Sequence, residues 1–269
     1  MDMQQQIIAR LGVKPIIDVK EEIRKRVDFL KEYVLKAGAR GLLIAISGGI
    51  DSAVVAALCK KATDELTAEQ GKEYQTLGVF QPYGEQEDID DSYAVSKAIG
   101  LVTTAETNIE DAVTEIVLES EFALKSLGIH THLSRGGKGN IKARTRMIVQ
   151  YALAFDMNLL VVGTDHASES ITGFWTKWGD GAVDLIPLSS LNKRQVRQLG
   201  TALGIPDKVV NKVPTAGLWP GQTDEAELGI SYEDNSDYLE GKPVDPKVRE
   251  KLEKQYLKTE HKRSPIPSI

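Results

Sequence analysis

Apolar runs alternate along this chain with segments whose apolar positions recur at helical spacing. A strand covered on both faces leaves a continuous apolar run, and such runs predict strands at 41–46 and 159–163. The segments TLGVFQP (76–82) and LVTTAE (101–106) are also predicted to be strands. The segments with helical periodicity lie at 18–37, 52–62, 86–99, 109–127, 140–156, 192–203 and 245–259. Strands separated by helices indicate βαβ units. The predicted fold class is therefore α/β, with a parallel sheet covered by helices on both faces.

Two segments, 128–140 and 211–230, fit neither pattern. Both are rich in glycine and polar residues, so they are predicted to be loops: either lids and binding loops, or mobile surface chain. The chain shows no internal repeat and no domain-sized linker, and a single domain over 1–269 is predicted. Ligands of such sheets bind outside the carboxyl ends of the strands, so candidate site residues are sought there.

Charge and composition narrow the classes of function. A net charge of −6 and a pI of about 5.4 leave no broad basic field for a nucleic-acid backbone, although local cations or helix N-termini can still bind small anions. The sequence has no apolar run long enough to span a bilayer, and its N-terminal segment lacks the apolar core of a signal peptide. The single cysteine, Cys59, excludes an internal disulfide, is predicted to be buried in a helix, and fits a cytoplasmic location.

The segment AISGGIDS (45–52) joins the first predicted strand to a helix. Two glycines allow a tight turn and a close backbone approach to a ligand, the serines offer hydroxyl donors, and the helix N-terminus supplies free N–H groups. The lysine of a Walker A loop is missing. The segment is predicted to hold phosphate groups through Ala45, Ile46, Ser47, Gly48, Gly49, Ile50, Asp51 and Ser52.

Asp51 is the unusual member of this loop. A carboxylate beside bound phosphates repels them unless a cation lies between, so Mg²⁺ is predicted at Asp51. The alternative is a plain strand–turn–helix connection in which Asp51 caps the helix.

The SGG-x-DS loop resembles that of the N-type ATP pyrophosphatase superfamily, which grips the pyrophosphate leaving ATP. By itself this leaves GMP synthetase, asparagine synthetase and tRNA-thiolating chemistry open. Further blocks at 138–154, 161–199, 214–241 and 260–263, including KGNIKARTRM, VVGTDHASE and EHKR, resemble ammonia-dependent NAD synthetase over about 16–263. The resemblance implies a Rossmann-like sheet and synthesis of NAD from deamido-NAD, ATP and ammonia, with AMP and pyrophosphate as products.

The resemblance also implies roles for individual residues. Glu169 would join Asp51 as a Mg²⁺ ligand, although from its position alone it reads as a solvated carboxylate in a first helical turn. The implied ATP contacts beyond the loop are Thr164, Lys193 and Thr215. The residues implied to bind deamido-NAD are Arg144, Lys177, Asp184, His261 and Lys262.

Side-chain chemistry agrees with several of these roles. The fork of Arg144 suits an oxyanion, but the neighbouring Lys142 and Arg146 fall on other helical faces, so the three cannot all contact one ligand. Asp184 could hold ribose hydroxyls. The aromatic residues of the same loop either stack on rings or pack internally; they are Phe174, Trp175 and Trp178.

The resemblance implies two chemical steps. The nicotinate carboxylate attacks the α-phosphorus of ATP to form an acyl-adenylate, and ammonia then displaces AMP. Asp51 and Lys193 are predicted to stabilise charge, and Asp180 is the candidate base for ammonium because its loop should cover the carboxylate. Free ammonia is the expected nitrogen source, unless a separate partner subunit supplies it, because Cys59 is the only cysteine and there is no room for a glutaminase domain.

Two other functions remain open: a GMP-synthetase-like subunit and a nucleotide sensor without turnover. A sensor fits poorly with a pair of metal-binding carboxylates. The resemblance further implies a homodimer with the dinucleotide at the subunit interface. The apolar stripes at 109–127 and 140–156 are the predicted interface, unless they form the core of a monomer.

Overall fold

Four parallel strands form the central sheet. The computed structural model describes residues 2–86, 88–129, 132–215, 221 and 223–269. The strands are β1 (Gly41–Ala45), β2 (Gln75–Phe80), β3 (Thr104–Glu106) and β4 (Leu159–Val161), in the spatial order β3-β2-β1-β4. β1 pairs in parallel with β2 and β4, and β2 pairs in parallel with β3. The predicted α/β class is confirmed, although β3 and β4 are shorter than predicted.

Helices connect and cover these strands. In the described ranges they are α1 (Met3–Leu11), α2 (Val19–Ala37), α3 (Ile50–Gln70), α4 (Ile89–Ala98), α5 (Glu110–Ser126), α6 (Arg135–Met157), α7 (Ala167–Thr172), α8 (Lys193–Ala202), α9 (Asp207–Val210), α10 (Asp224–Leu228), α11 (Tyr232–Leu239), α12 (Pro246–Lys258) and α13 (Glu260–Arg263). Each of them is too short or too polar to cross a lipid bilayer.

Both faces of the sheet are covered, as the apolar strands predict. Leu42 and Ile44 of β1 belong to one core with α2, α3 and α8. Leu43, on the opposite face of the same strand, packs in a second core with Val161 and the α6 residue Ala154. Full burial of each such leucine or isoleucine stabilises the fold by about 1.5–3 kcal/mol. β1 is thereby fixed at the centre of the sheet, and the loop that follows it lies at the sheet's carboxyl edge.

The helix after the phosphate loop is longer than the prediction of 52–62. α3 begins at Ile50 and continues to Gln70, where Gly71 ends it at a φ of 65°. Ala62 and Leu66 are fully buried and continue the apolar stripe by a further turn. Of the polar residues between them, which suggested an earlier end, Thr63 is buried with its hydroxyl 2.9 Å from that of Thr76 on β2, and Asp64 faces solvent.

The prediction of a loop at 128–140 is wrong for its second half. Residues 135–140 form the first turns of α6. Ser134 caps this helix by accepting a hydrogen bond from the Gly137 N–H at 3.1 Å. A serine cap satisfies one of the unpaired N–H groups, which offsets the low helix propensity of the glycines beside it.

The segment 211–230 contains α10, whose first turn is capped by Thr223. Within this segment, residues 216–220 and 222 lie outside the described residues. At the N-terminus, the polar segment forms α1, which the periodicity did not predict. Ile7 of α1 packs with Ile171, Tyr238 and Leu252 in a third core. That core joins α1, α7, α11 and α12 and positions α7 beside the sheet edge.

Candidate active site

The phosphate loop leaves β1 at Ala45 and enters α3 at Ile50. Gly48 has a φ of 78°, which side-chain-bearing residues rarely adopt, and a Cβ there would lie 3.2 Å from the Asp91 Cβ. Gly49 is extended and occupies the N-cap position without a side-chain cap. The first N–H groups of α3 therefore have no side-chain acceptor, and they are placed to bind an anion. The alternative in which Asp51 caps α3 is wrong, because Asp51 is the second residue inside the helix.

A pair of serines closes the loop. The hydroxyl oxygens of Ser47 and Ser52 lie 3.1 Å apart, and the Ser47 N–H donates to Ser52 Oγ at 3.2 Å. The Ser52 hydroxyl also donates to the Gly49 carbonyl at 3.1 Å. Ser52 is buried while Ser47 is exposed. Ser52 thus holds the turn, and Ser47 presents its hydroxyl to the space where a ligand would lie.

Three charged or titratable side chains meet beside this loop. Lys193 Nζ lies 2.6 Å from Asp51 Oδ2, and His166 Nε2 lies 3.3 Å from Asp51 Oδ1. Lys193 Nζ and His166 Nε2 are 3.4 Å apart. Lys193 is 1% exposed and His166 is fully buried. Buried charges need partners, so this cluster brings together Asp51 and Lys193, both predicted to act in the reaction.

His166 was not singled out in the sequence. Its signal was its place in VVGTDHASE, between Thr164 and Glu169, directly after a buried strand. A single histidine at such a position does not predict a functional site. Its contacts with Asp51 and Lys193 arise only because α3 and α8 pack against the same edge of the sheet.

Glu169 completes a candidate metal centre. It lies in the first turn of α7, with Oε2 3.7 Å from His166 Nε2. Asp51, His166 and Glu169 each present one ligand atom, and these atoms lie within 4.8 Å of one another. Carboxylate oxygens are the ligands that Mg²⁺ prefers. The residues present therefore fit the predicted ion, with Asp51 and Glu169 as the carboxylate ligands and His166 Nε2 close to both.

The carboxylates of this region differ in their pKa. Burial by itself would raise the pKa of Asp51, but the charges on Lys193 and His166 hold it well below its usual range. Burial raises the pKa of Glu169 to about 8. Burial, and then the charges on Asp180 and Asp51, also raise the pKa of Asp165, and burial raises that of Asp180. The site thus keeps Asp51 ionised among carboxyl groups that hold protons more tightly.

Glu169 should make the stability of the metal-free protein depend on pH. Its folded-state pKa of about 8 lies above the ordinary value of 4.5, so its contribution to the free energy of unfolding is fully present below pH 4.5 and is lost as the pH rises through about 8. In EDTA, the Tm of a Glu169→Gln variant should fall less than that of the wild type over this window. Thermal unfolding at a series of pH values measures the difference.

Glu250→Gln is the matched control, because Glu250 is an exposed residue of α12. Asp165 and Asp180 titrate with the same sign in all three proteins, so a difference between the Tm curves reports Glu169 together with its effect on Asp165. Parallel Tm curves for the wild type and Glu169→Gln would contradict the shifted pKa. Added Mg²⁺ should stabilise the wild type more at the upper end of the window, since ligand carboxyl groups must lose their protons.

Four of the five residues implied to bind the dinucleotide form a chain of contacts. Arg144 of α6 donates to the Lys177 carbonyl at 3.1 Å. Lys177 Nζ donates to the His261 carbonyl at 2.8 Å, and Lys262 Nζ donates to the Gly173 carbonyl at 2.7 Å. The structure thus assembles α6, the 173–184 loop and α13 around one region.

Asp184 is engaged differently. Its carboxylate accepts a hydrogen bond from the Val161 N–H at 2.8 Å and one from the Tyr151 hydroxyl at 3.2 Å. These contacts tie the loop to the end of β4. Its predicted contact with a ribose stays a prediction.

Lys142 and Arg146 lie one helical turn apart and face the segment after β2, whereas Arg144 faces the 173–184 loop. Arg146 Nε donates to the Gln81 carbonyl at 3.0 Å, next to β2. Lys142 Nζ lies 3.6 Å from the centroid of the Tyr83 ring. Arg144 alone of the three contacts the 173–184 loop in the contacts described above.

The aromatic residues of the loop divide between the two predicted roles. A Cβ on Gly181 would come within 2.3 Å of the Trp175 ring, so Trp175 packs inside the loop, with Lys262 Nζ 5.6 Å from its centroid. Trp178 is 52% exposed and has a φ of 63°. Trp178 is therefore the one of this pair whose ring is accessible for stacking on a ligand.

Thr164 and Thr215 are the two remaining residues implied to contact ATP. Thr164 lies at the same sheet edge as the phosphate loop, and Thr215 lies beside it. Thr164 follows β4 by three residues. Thr215 lies in the segment after α9, where Lys212 Nζ is 3.3 Å from the Gly48 carbonyl of the phosphate loop. Lys212 was not predicted from the sequence, because a single lysine in an irregular segment carries no local signal.

Cys59 lies in α3 and is fully buried, as predicted. Burial raises the pKa of its thiol. A thiol that is buried and protonated packs as a small apolar group and is a poor nucleophile.

Known proteins of related sequence share this architecture. The family model described as NAD synthase matches residues 22–266. The NH(3)-dependent NAD(+) synthetase of Bacillus subtilis (strain 168) is 47% identical over 266 residues, covering 98% of this chain and 96% of that protein. The protein of that name from Aliivibrio fischeri (strain ATCC 700601 / ES114) is 45% identical over 274 residues, covering 99% of each.

Solved structures agree with the sequence relatives. NAD+ synthetase from Burkholderia pseudomallei superposes with a TM-score of 0.81 at 37% identity, covering 97% of each chain. NMN synthetase from Francisella tularensis superposes with a TM-score of 0.83 at 33% identity, covering 94% of this chain and 99% of that one. The chain belongs to the NAD synthase family.

Proposed function

We propose that this protein converts deamido-NAD to NAD with ammonia and ATP, releasing AMP and pyrophosphate. The observation that carries the proposal is the cluster of Asp51, Lys193 and Glu169 beside the uncapped N-terminus of α3. An ionised carboxylate, a buried ammonium and free N–H groups together suit the transfer of a nucleotide from its diphosphate. The relatives named NH(3)-dependent NAD(+) synthetase support the same reaction.

The first step joins two anions. An oxygen of the nicotinate carboxylate attacks the α-phosphorus of ATP, and the bond to the β-phosphate oxygen breaks with its electrons on pyrophosphate. The N–H groups at 48–52 would receive this leaving group, and the Lys193 ammonium would stabilise its charge. Asp51 and Glu169 would hold Mg²⁺, which when bound would neutralise phosphate charge. The product of this step is the acyl-adenylate.

The second step forms the amide. The nitrogen lone pair of ammonia attacks the carbonyl carbon, and the bond to the AMP oxygen breaks with its electrons on AMP. One proton must leave the nitrogen to give the neutral amide. That proton passes to water. We assign to Asp180 the earlier proton, which ammonium loses to give the attacking ammonia; Asp180 is accessible to solvent, and burial of its carboxylate raises its pKa.

The test of the proposed function is an assay with deamido-NAD, Mg-ATP and ammonium chloride. NAD and AMP should appear in equal amounts. Glutamine in place of ammonium should give little NAD, because the buried thiol of Cys59 cannot serve as a glutaminase nucleophile. XMP should not be aminated. Release of AMP with XMP but not with deamido-NAD would instead favour a GMP-synthetase-like activity, and ATP binding without AMP release would favour a sensor.

Nicotinate mononucleotide is a second candidate substrate. The fold is similar to that of NMN synthetase from Francisella tularensis, with a TM-score of 0.83. This substrate carries the same carboxylate but lacks the adenylate half. The sequence relatives at 45–47% identity favour deamido-NAD. Competition between the two substrates in one reaction, with NAD and NMN separated by chromatography, gives the ratio of their kcat/KM values.

Asp180→Asn should separate the two steps. Loss of a general base typically costs about 10²–10⁴-fold, so NAD formation should fall by at least about 10²-fold while pyrophosphate–ATP exchange, which reports the first step, changes little. Higher pH should partly restore NAD formation by raising the fraction of free ammonia. Asp207→Asn, at an exposed position in α9, is the control. Equal loss of both activities would exclude this role.

We also propose a homodimer formed through α5 and α6. Phe122 of α5 is 72% exposed and Phe155 of α6 is 87% exposed, and Leu118 and Ile148 lie exposed on the same helices. Large exposed apolar side chains on adjacent helices are typical of an interface. In light scattering, the wild type should show twice the 29.5 kDa chain mass, and Phe122→Glu should be monomeric.

Leu257→Glu, on α12, is the control for the interface variant, because Leu257 is 62% exposed and lies on another surface. It should remain dimeric. A single 29.5 kDa species of the wild type at micromolar concentration would exclude the dimer.

A further inference from the structure

Lys212 connects the phosphate loop to two acidic side chains of the neighbouring helix. Its ammonium lies 3.3 Å from the Gly48 carbonyl and 2.7 Å from Asp91 Oδ2, and it also contacts Asp88. Its side chain is only 22% exposed, and that of Asp91 is 6% exposed. Lysine tolerates such burial only when its charge is paired, so these contacts hold the ammonium in place.

A second side chain holds the neighbouring carbonyl of the loop. Gln86 Nε2 donates to the Ser47 carbonyl at 3.4 Å and to Asp88 Oδ1 at 2.9 Å. The start of α4 packs directly beneath the loop, since a Cβ on Gly48 would lie 3.1 Å from the Ser92 hydroxyl. Two successive carbonyls of the phosphate loop are therefore held from outside, and Asp88 links the two donors.

The orientation of these carbonyls determines where the loop's N–H groups point. In a planar trans peptide the C=O and the following N–H point in opposite directions. Fixing the carbonyls of Ser47 and Gly48 thus fixes the N–H groups of Gly48 and Gly49. The Gly49 N–H makes one long contact, 3.4 Å to Ser47 Oγ, so it can still bind a stronger acceptor. We propose that Lys212 is a positioning residue that orients the phosphate loop for the departing pyrophosphate.

The charges around Lys212 explain how it can orient the phosphate loop without contacting phosphate itself. Asp91 also pairs with Lys208 at 2.6 Å, so two lysines balance two aspartates. Burial opposes the charge on Lys212, but hydrogen bonds to Asp88 and Asp91 raise the pKa of its ammonium. The cluster is neutral, and it places no net negative charge beneath the loop. Removing Lys212 would take this hydrogen bond from the Gly48 carbonyl and would leave the negative charge of Asp88 unbalanced beside it.

The inference rests on the proposed function, and product inhibition tests it. Pyrophosphate uses the loop, whereas AMP carries only the α-phosphate. In Lys212→Met, the Ki of pyrophosphate against ATP should rise about tenfold, as expected for loss of a hydrogen bond from a charged group. The Ki of AMP should stay within about twofold. Lys212→Arg, which can keep the paired contacts, should recover most of the loss.

Lys208→Met is the matched control, because Lys208 contacts the same Asp91 but has a side chain that is 78% exposed and does not contact Gly48 in the described structure. It should change both Ki values by less than Lys212→Met changes that of pyrophosphate, because it removes one charge from the cluster but no contact with the loop. Equal changes of the two Ki values in Lys212→Met, or no change beyond that of Lys208→Met, would overturn the inference.

Asp88→Asn tests the positioning role even if Lys212→Met does not fold. Weakening the hold on Lys212 should raise the Ki of pyrophosphate in the same direction, by a smaller factor. An unchanged or lower Ki would mean that Lys212 binds phosphate directly, which overturns the positioning role but not the proposed function. Pyrophosphate that fails to compete with ATP on the wild type would overturn the phosphate site itself, and the inference with it.

Discussion

Replacing Asp51 by asparagine is expected to lower kcat/KM for NAD formation on the order of 10³-fold, the upper range for loss of one preorganised charge-stabilising group. Among the described residues, Asp51 is the only carboxylate within hydrogen-bonding distance of Lys193 Nζ, at 2.6 Å. Asp51 is also one of the two carboxylates of the candidate metal centre. The variant therefore loses both the metal ligand and the orientation of the ammonium. Initial rates at saturating Mg-ATP, with AMP as the measured product, provide the test.

Two further variants make the Asp51 result interpretable. Asp111→Asn is the control. Asp111 is the second residue of α5, as Asp51 is the second residue of α3, but Asp111 is exposed. Glu169→Gln removes the other metal ligand and leaves the pair between Lys193 and Asp51 intact. It therefore tests the metal site even if Asp51→Asn does not fold. Full activity of Asp51→Asn would contradict the assignment of the phosphate and metal site.

Lys193→Met is expected to lower both activity and stability. Lys193 is 1% exposed, and the variant would leave the half-buried carboxylate of Asp51 without its main partner. Breaking a buried ion pair by removing one member typically costs about 3–5 kcal/mol of unfolding free energy. Loss of the cation beside the phosphates should lower kcat by about 10²–10³-fold. Urea unfolding and steady-state kinetics measure the two effects separately.

The control for this variant is another lysine–aspartate pair. Lys60 and Asp64 lie 2.5 Å apart on the surface of α3, with Asp64 59% exposed. Lys60→Met should cost no more than about 1 kcal/mol, because solvent screens exposed pairs. Mg²⁺ should partly restore the stability of Lys193→Met, since the ion can pair with Asp51. A Lys193→Met protein as stable as Lys60→Met would show that the buried pair contributes little.

Much of the fold could be predicted because its signals are local. β1 is apolar throughout, β2 is apolar after its first two residues, both strands are largely buried, and α2 carries a regular apolar stripe. β3 was harder to delimit, because it is a three-residue edge strand whose residues are only partly covered. α1 and α7 have nine and six residues, too few for a periodic pattern to stand out, and their apolar faces are explained only by the core that they share with α11 and α12.

Local patterns in the sequence were enough to predict the buried strands and the turn of SGGIDS from a strand into a helix. They also predicted that the glycines and the aspartate of this turn suit a phosphate and a metal. Each of these depends on neighbouring residues along the chain. The tertiary structure alone decided which charged groups meet. Lys193 is 142 residues from Asp51, and Lys212 is 164 residues from Gly48. Their pairing depends on distances in space, which are set by the strand order and by the packing of α8 and α4 against the loop.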